Sequence, residues 1–220
     1  LASVALAYAL AAIDPRRYVG IVWLCVAQRV VEFACAFADW RAHAIPTSIF
    51  AQLSALEIGI AVALSLLAPG RPPAPANGAP KPAPADRGLV RLLWAFGGLE
   101  VFWFLASTVF VQIGARLLNW KLQDPYTTQQ QGIALLVIGV TSLLAASDIA
   151  RYRIFVWVPI ASQLIGIGNA FNEIRLGSIG WPVAAIQWTI ESAIVAAFVY
   201  FSRDHVAAAR QGQMAKRARA

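Results

Sequence analysis

The chain has 220 residues, of which 59% are hydrophobic and only 13% charged, with a formal net charge of +7 and a mean hydropathy of +0.62. A soluble domain runs about 45–50% apolar and about 25% charged, so this composition excludes one and points to a polytopic helical membrane protein. The basic residues lie in loops and in the tail QGQMAKRARA, a distribution that fits membrane topology and argues against a nucleic-acid partner.

Apolar runs broken by turn signals predict about seven helical segments in an all-α transmembrane bundle. Leu1 to Ile13 is too short to span a bilayer. Tyr18 to Ala38 and Thr47 to Ala68 follow and complete a first unit, residues 1–68. Residues 69–88, PGRPPAPANGAPKPAPADRG, read as an Ala/Pro tether with no apolar face to bury. A second unit, 89–203, holds Val90 to Ala115, Gln130 to Ala146, Tyr152 to Phe171 and Trp181 to Ser202, and 204–220 is a basic tail. Pro159 predicts a kink in its helix. The run LLWAFGGLEVFWFLASTVF reads as lipid contact, with stacking on a quinone or pigment as the alternative, and Trp40, Trp120 and Trp181 as interface belt residues.

Two passages match, AAIDPRRYVGIVW from Ala11 and AASDIARYRIFVW from Ala145. At an offset of 134, Asp14, Arg17, Tyr18, Trp23, Phe37, Arg41 and Glu57 meet Asp148, Arg151, Tyr152, Trp157, Phe171, Arg175 and Glu191. Such charged and aromatic matches in one register predict an internal duplication. Subtracting the offset leaves the two helices ahead of the second passage only partly represented in the first unit. The expectation is therefore two four-helix repeats, the first N-terminally incomplete. Thirteen Lys and Arg fall on the side of the two matched turns, the linker and the tail, against four on the other. The positive-inside rule puts the thirteen in the cytoplasm, and both repeats then run parallel. The Ala/Arg/Pro bias suggests a bacterial inner membrane.

In each matched turn the Asp can accept from free N–H groups at a helix start, the Arg can reach phosphates, and the Tyr suits headgroup depth. Asp14, Arg17, Tyr18, Asp148, Arg151 and Tyr152 therefore read as interface anchors. The informative charges lie deeper. Arg29 is about 16 Å past Tyr18 by helical rise, Glu32 follows on the same face, and Glu57, Glu100 and Glu191 fall at similar depth. Charge at that depth is costly against lipid and should face a partner inside the bundle. Arg29 is the obvious partner; the acidic surplus falls to amides such as Gln187, four residues from Glu191, and Gln52, Gln112 and Gln163. Arg29, Glu32, Glu57, Glu100, Gln187 and Glu191 form the candidate midplane binding or proton-linked set, against a purely structural role as interhelical glue.

Cys25 and Cys35 are about 15 Å apart along one helix and cannot pair. His43 and His205 are isolated, so no metal site is visible. With no P-loop, dinucleotide fingerprint, CxxC or nucleophile elbow, no catalytic residue and no cofactor is assigned.

The stretch GIALLVIGVTSLLAASDIARYRIFVW, Gly132 to Trp157, and more faintly Ala5 to Trp23, resembles the DoxX-like group of small four-helix bacterial membrane proteins. That group is functionally mixed and includes quinone-linked redox subunits, and the resemblance carries over no site residue. The function expected is a non-enzymatic accessory or small-ligand-binding membrane protein, or a subunit of a larger complex. The alternatives are a proton-coupled secondary transporter of a small solute and a quinone-linked redox subunit.

Overall fold

A computed structural model describes residues 2–69, 86–110, 113, 125–177 and 179–217. Within them the chain is helical, with no strand. Helices α1 (Ala2–Ile13), α2 (Val19–Arg41), α3 (Thr47–Leu67), α4 (Asp86–Phe104), α5 (Pro125–Ser147), α6 (Trp157–Arg175) and α7 (Trp181–Arg217) follow in order. Six stretches are long and apolar enough to cross a membrane: Val19–Arg41, Thr47–Leu67, Arg87–Val109, Thr128–Ser147, Ile149–Arg175 and Trp181–Arg203. The protein is a multi-pass helical membrane protein.

The element boundaries differ from the sequence reading where local chemistry overrides hydropathy. Asp86–Gly88 belong to α4 rather than to the tether, whose other residues from 70 onward lie outside the described set. α5 begins at Pro125, not Gln130, because a proline needs no N–H partner in a first helical turn. α7 continues to Arg217, so the basic tail is helical over most of its length. α4 passes into a π-turn, Leu105–Val109, and the end of the fourth segment at Ala115 is outside the described residues. Pro159 sits inside the first turn of α6. The irregularity lies one turn ahead, where Ile149–Tyr152 gives way to a 3-10 turn, Arg153–Val156. A proline ring clashes with the carbonyl four residues earlier, here Phe155, and the tighter turn relieves that clash.

The core lies among α1, α2, α4, α5 and the 149–160 segment, around Ile21, Leu93, Val137 and Phe155, with Phe198 from α7. α4 packs closely on α5, and the approach needs Gly97 and Gly139: a Cβ on Gly97 would stand 2.8 Å from the Gly139 carbonyl oxygen. α2 pairs with α3, and α6 with α7. Across the halves, α1 packs on α6 and α2 on α5. α3 contributes a single buried residue, Glu57. Ile49, Leu56, Ile58, Val62 and Leu66 on the same helix face outward, as befits a helix in contact with lipid. In the aromatic run of α4, Trp94, Phe102 and Phe110 also face outward. Phe96 and Phe104 are buried, Phe96 meeting Phe198 edge-on at 5.4 Å. Trp40 stacks on Phe50 at 4.9 Å and donates to Thr47 Oγ1 at 3.2 Å, tying the α2–α3 turn. Trp181 is exposed, and Trp120 is outside the described residues.

Candidate functional site

Arg29, Glu32, Glu57, Glu100 and Glu191 each lie within two residues of the middle of their spans. The fold sorts them into two groups. Arg29 reaches only two of the four glutamates: its Nη1 is 2.6 Å from Glu32 Oε2 and 2.9 Å from Glu57 Oε2. Its Nη2 donates to Glu32 Oε1 at 3.3 Å, so the guanidinium engages both oxygens of Glu32. Glu32 comes to Arg29 because residues three apart share a helix face. Glu57 comes because the short turn after Arg41 folds α3 back along α2, with the helix midpoints level.

A polar chain extends this group toward α1. Gln28 Nε2 donates to Glu32 Oε1 at 2.7 Å, and Tyr8 Oη donates to Gln28 Oε1. Gln28 is almost wholly buried at 2% exposure, so these bonds satisfy an amide that lipid could not. Neither residue stood out in the sequence reading. The four-residue spacing of Gln28 and Glu32 was a usable signal; nothing in α1 marked Tyr8. On its other side the group opens into a small cleft of about 40 Å³ lined by Glu32, Ala36, Leu53, Glu57 and Gln130. Ala36 and Leu53 both lie toward the α2–α3 turn from the helix midpoints, and Gln130 is near the start of α5. The cleft therefore runs from mid-depth toward the face that carries Arg41 and His43.

The second group has no arginine. Gln187 Nε2 donates to Glu191 Oε1 at 3.0 Å, while Glu191 Oε2 is buried without a hydrogen-bond partner. Its carboxylate lies directly over Gly166 of α6, where a Cβ would collide with it. Glu100 on α4 is 6% exposed, with no hydrogen bond or ion pair to any described residue. Of the remaining amides, Gln163 is buried and Gln52 is exposed, while Gln112 falls outside the described residues.

The matched turns meet each other. Asp14 Oδ1 accepts from Arg17 N at 3.0 Å, and Asp148 Oδ1 from Arg151 N at 3.1 Å. Arg17 Nη2 donates to the Ala150 carbonyl at 3.2 Å, and Arg151 donates in return to the Arg17 carbonyl through Nε and to that of Arg16 through Nη2. Each guanidinium also lies over its neighbouring ring, at 5.5 Å for Tyr18 and 5.3 Å for Tyr152, and the two rings are 6.0 Å apart. Cys25 and Cys35 are free, and among the described residues no group of three or more His, Cys, Asp or Glu could hold a metal ion. Comparison with protein-family models, curated proteins and solved structures gives no match.

Proposed function

We propose that this protein is a non-enzymatic membrane protein that binds a small polar ligand in the cleft beside Arg29, Glu32 and Glu57. The observation that carries the reading is the cleft itself: two buried mid-span carboxylates line an opening that extends to Gln130 near the start of α5. Helix glue alone needs no opening. One arginine against two carboxylates leaves an acceptor surplus, so the fitting ligand brings hydrogen-bond donors or a positive charge. The cleft holds about three water-sized groups, at about 10–15 Å³ each. It suits a very small solute or the polar head of a larger amphiphile.

The duplicated architecture supports the same reading. The reciprocal contacts of the two Asp-x-x-Arg-Tyr turns, and the crossed packing of α1 on α6 and α2 on α5, are what two parallel four-helix repeats would make around a common axis. With thirteen basic residues on the turn side, that side is cytoplasmic and the cleft faces outward from a bacterial inner membrane. The DoxX-like resemblance of Gly132 to Trp157 fits such a unit. A mid-depth cleft open to one side also fits one end state of a proton-coupled carrier, which is the second reading.

Native mass spectrometry on protein extracted gently from its own membrane tests the proposal. The expected result is a single chain or homodimer carrying a bound small molecule that Glu57→Gln releases. A protein of unadorned mass, or one held in an assembly by other polypeptides with no small ligand, overturns ligand binding, and the second outcome makes the chain an accessory subunit.

A further inference from the structure

The junction between the two matched turns carries charge that the described chain does not use. It lies where the spans Val19–Arg41 and Ile149–Arg175 begin and Thr128–Ser147 stops, which is headgroup depth. Arg16, Arg17, Arg151 and Arg153 come together there, because Arg17 reaches the Ala150 carbonyl and Arg151 reaches those of Arg16 and Arg17. Against these four arginines stand Asp14 and Asp148, each accepting from a backbone N–H, so two positive charges are in excess. None of the four makes an ion pair with a described residue, and the Arg16 and Arg153 side chains, both exposed, make no hydrogen bond to one. An arginine keeps its charge at any working pH, so the excess is not relieved by loss of a proton.

The arrangement is also twinned. Arg17 and Arg151 lie over Tyr18 and Tyr152, whose rings are 6.0 Å apart, so two guanidinium groups stand side by side. Carbonyl bonds and ring contacts hold each one in place, while the Nη1 of each has no partner among the described residues. Five residues beyond each tyrosine, Trp23 and Trp157 are half exposed, with no described partner for either indole N–H. A ring so placed presents apolar surface and a donor to lipid just below the headgroups. From this pairing we infer that the junction binds the headgroup of an anionic phospholipid carrying two phosphodiesters, one for each arginine turn. The two charges of such a lipid match the excess of two, and guanidinium forks suit phosphate oxygens. Basic sites between membrane helices recognise headgroups of this kind. A lipid with a single phosphate would satisfy one turn and leave the other. The site is separate from the Arg29 cleft and does not depend on what that cleft binds.

Native mass spectrometry of the full chain in neutral detergent tests the site, with diphosphatidylglycerol and phosphatidylglycerol titrated separately at equal total phosphate. The expected result is one diphosphatidylglycerol retained per chain, at least about tenfold more tightly than phosphatidylglycerol, as two linked contacts require. Arg16→Gln combined with Arg153→Gln should abolish that preference. Arg210→Gln combined with Lys216→Gln removes the same charge from the tail and should leave it intact. Thermal midpoints without lipid check that both double variants are folded. Equal retention of the two lipids overturns the inference, and so does an equal loss in the two double variants, since general surface charge then explains the binding. Full displacement by the deacylated, water-soluble headgroup at the same concentration also overturns it, because the site would then take a soluble phosphoester rather than a lipid.

Discussion

Glu57 and Glu191 sit at matching positions in the two halves, each at the middle of a membrane span whose helix pairs with its predecessor, yet their surroundings are opposite. Glu57 is the only buried residue of α3, so one ion pair with Arg29 anchors the helix's inner face. Glu191 belongs to a helix that also buries Ala184 and Phe198, and its carboxylate rests on a glycine with one oxygen unsatisfied. The first acid shares a cation from its own chain with Glu32. The second is left with capacity to spare. At matched positions one acid thus meets an arginine, while the other meets the amide of Gln187 and the backbone at Gly166.

Removing Arg29 should have the largest effect. Arg29→Met strands Glu32 and Glu57, and breaking a buried pair from one side costs about 3–5 kcal/mol. Unfolding in detergent should show that loss, with part of it recovered by adding Glu57→Gln. A loss no larger than that of Glu191→Gln would erase the contrast between the halves.

Gly166→Val should cost about 1–3 kcal/mol by overpacking against Glu191. Gly168→Ala, two residues along the same helix where a Cβ meets nothing within 4 Å, should instead be neutral or stabilise by up to about 1 kcal/mol. Matching effects at the two glycines would show that the Glu191 carboxylate does not occupy the space over Gly166.

Asp14→Ala and Asp148→Ala should each cost about 1 kcal/mol, through loss of the bond to the Arg17 or Arg151 N–H. Here the halves should agree, and a clear inequality would show that only one turn is capped. Tyr8→Phe should have the smallest effect, about 0.5–1.5 kcal/mol for its bond to Gln28. The change keeps the ring and sharpens the case that the polar chain of the first half extends into α1.

Much of this was legible in the sequence. Lipid demands long apolar helices, so the spans could be read from hydropathy, and the depth of each charge followed from helical rise. The Arg29–Glu32 pairing was legible from spacing, because it is local to one helix. What escaped was the sorting of glutamates. Arg29 was the obvious partner for all four, but one guanidinium can only serve the helices beside it, and α4 and α7 are not among them. That the neighbour of Gly166 is a carboxylate depends on how α7 rotates against α6, which spacing along the sequence does not give. The break ahead of Pro159 falls where a proline acts, on the carbonyl one turn behind it.

The paired arginine turns also bear on the order in which the molecule assembles. Arg17 and Arg151 join carbonyls 133–135 residues away, among the most distant contacts along the chain. At about 5–20 residues per second, the first turn waits roughly 7–27 s during synthesis before its counterpart exists. Closing so long a loop carries an entropic penalty that grows with the logarithm of its length, so the junction forms late, on helices already inserted. The junction has to close over about 134 residues, and it does so between the two passages that resemble each other most.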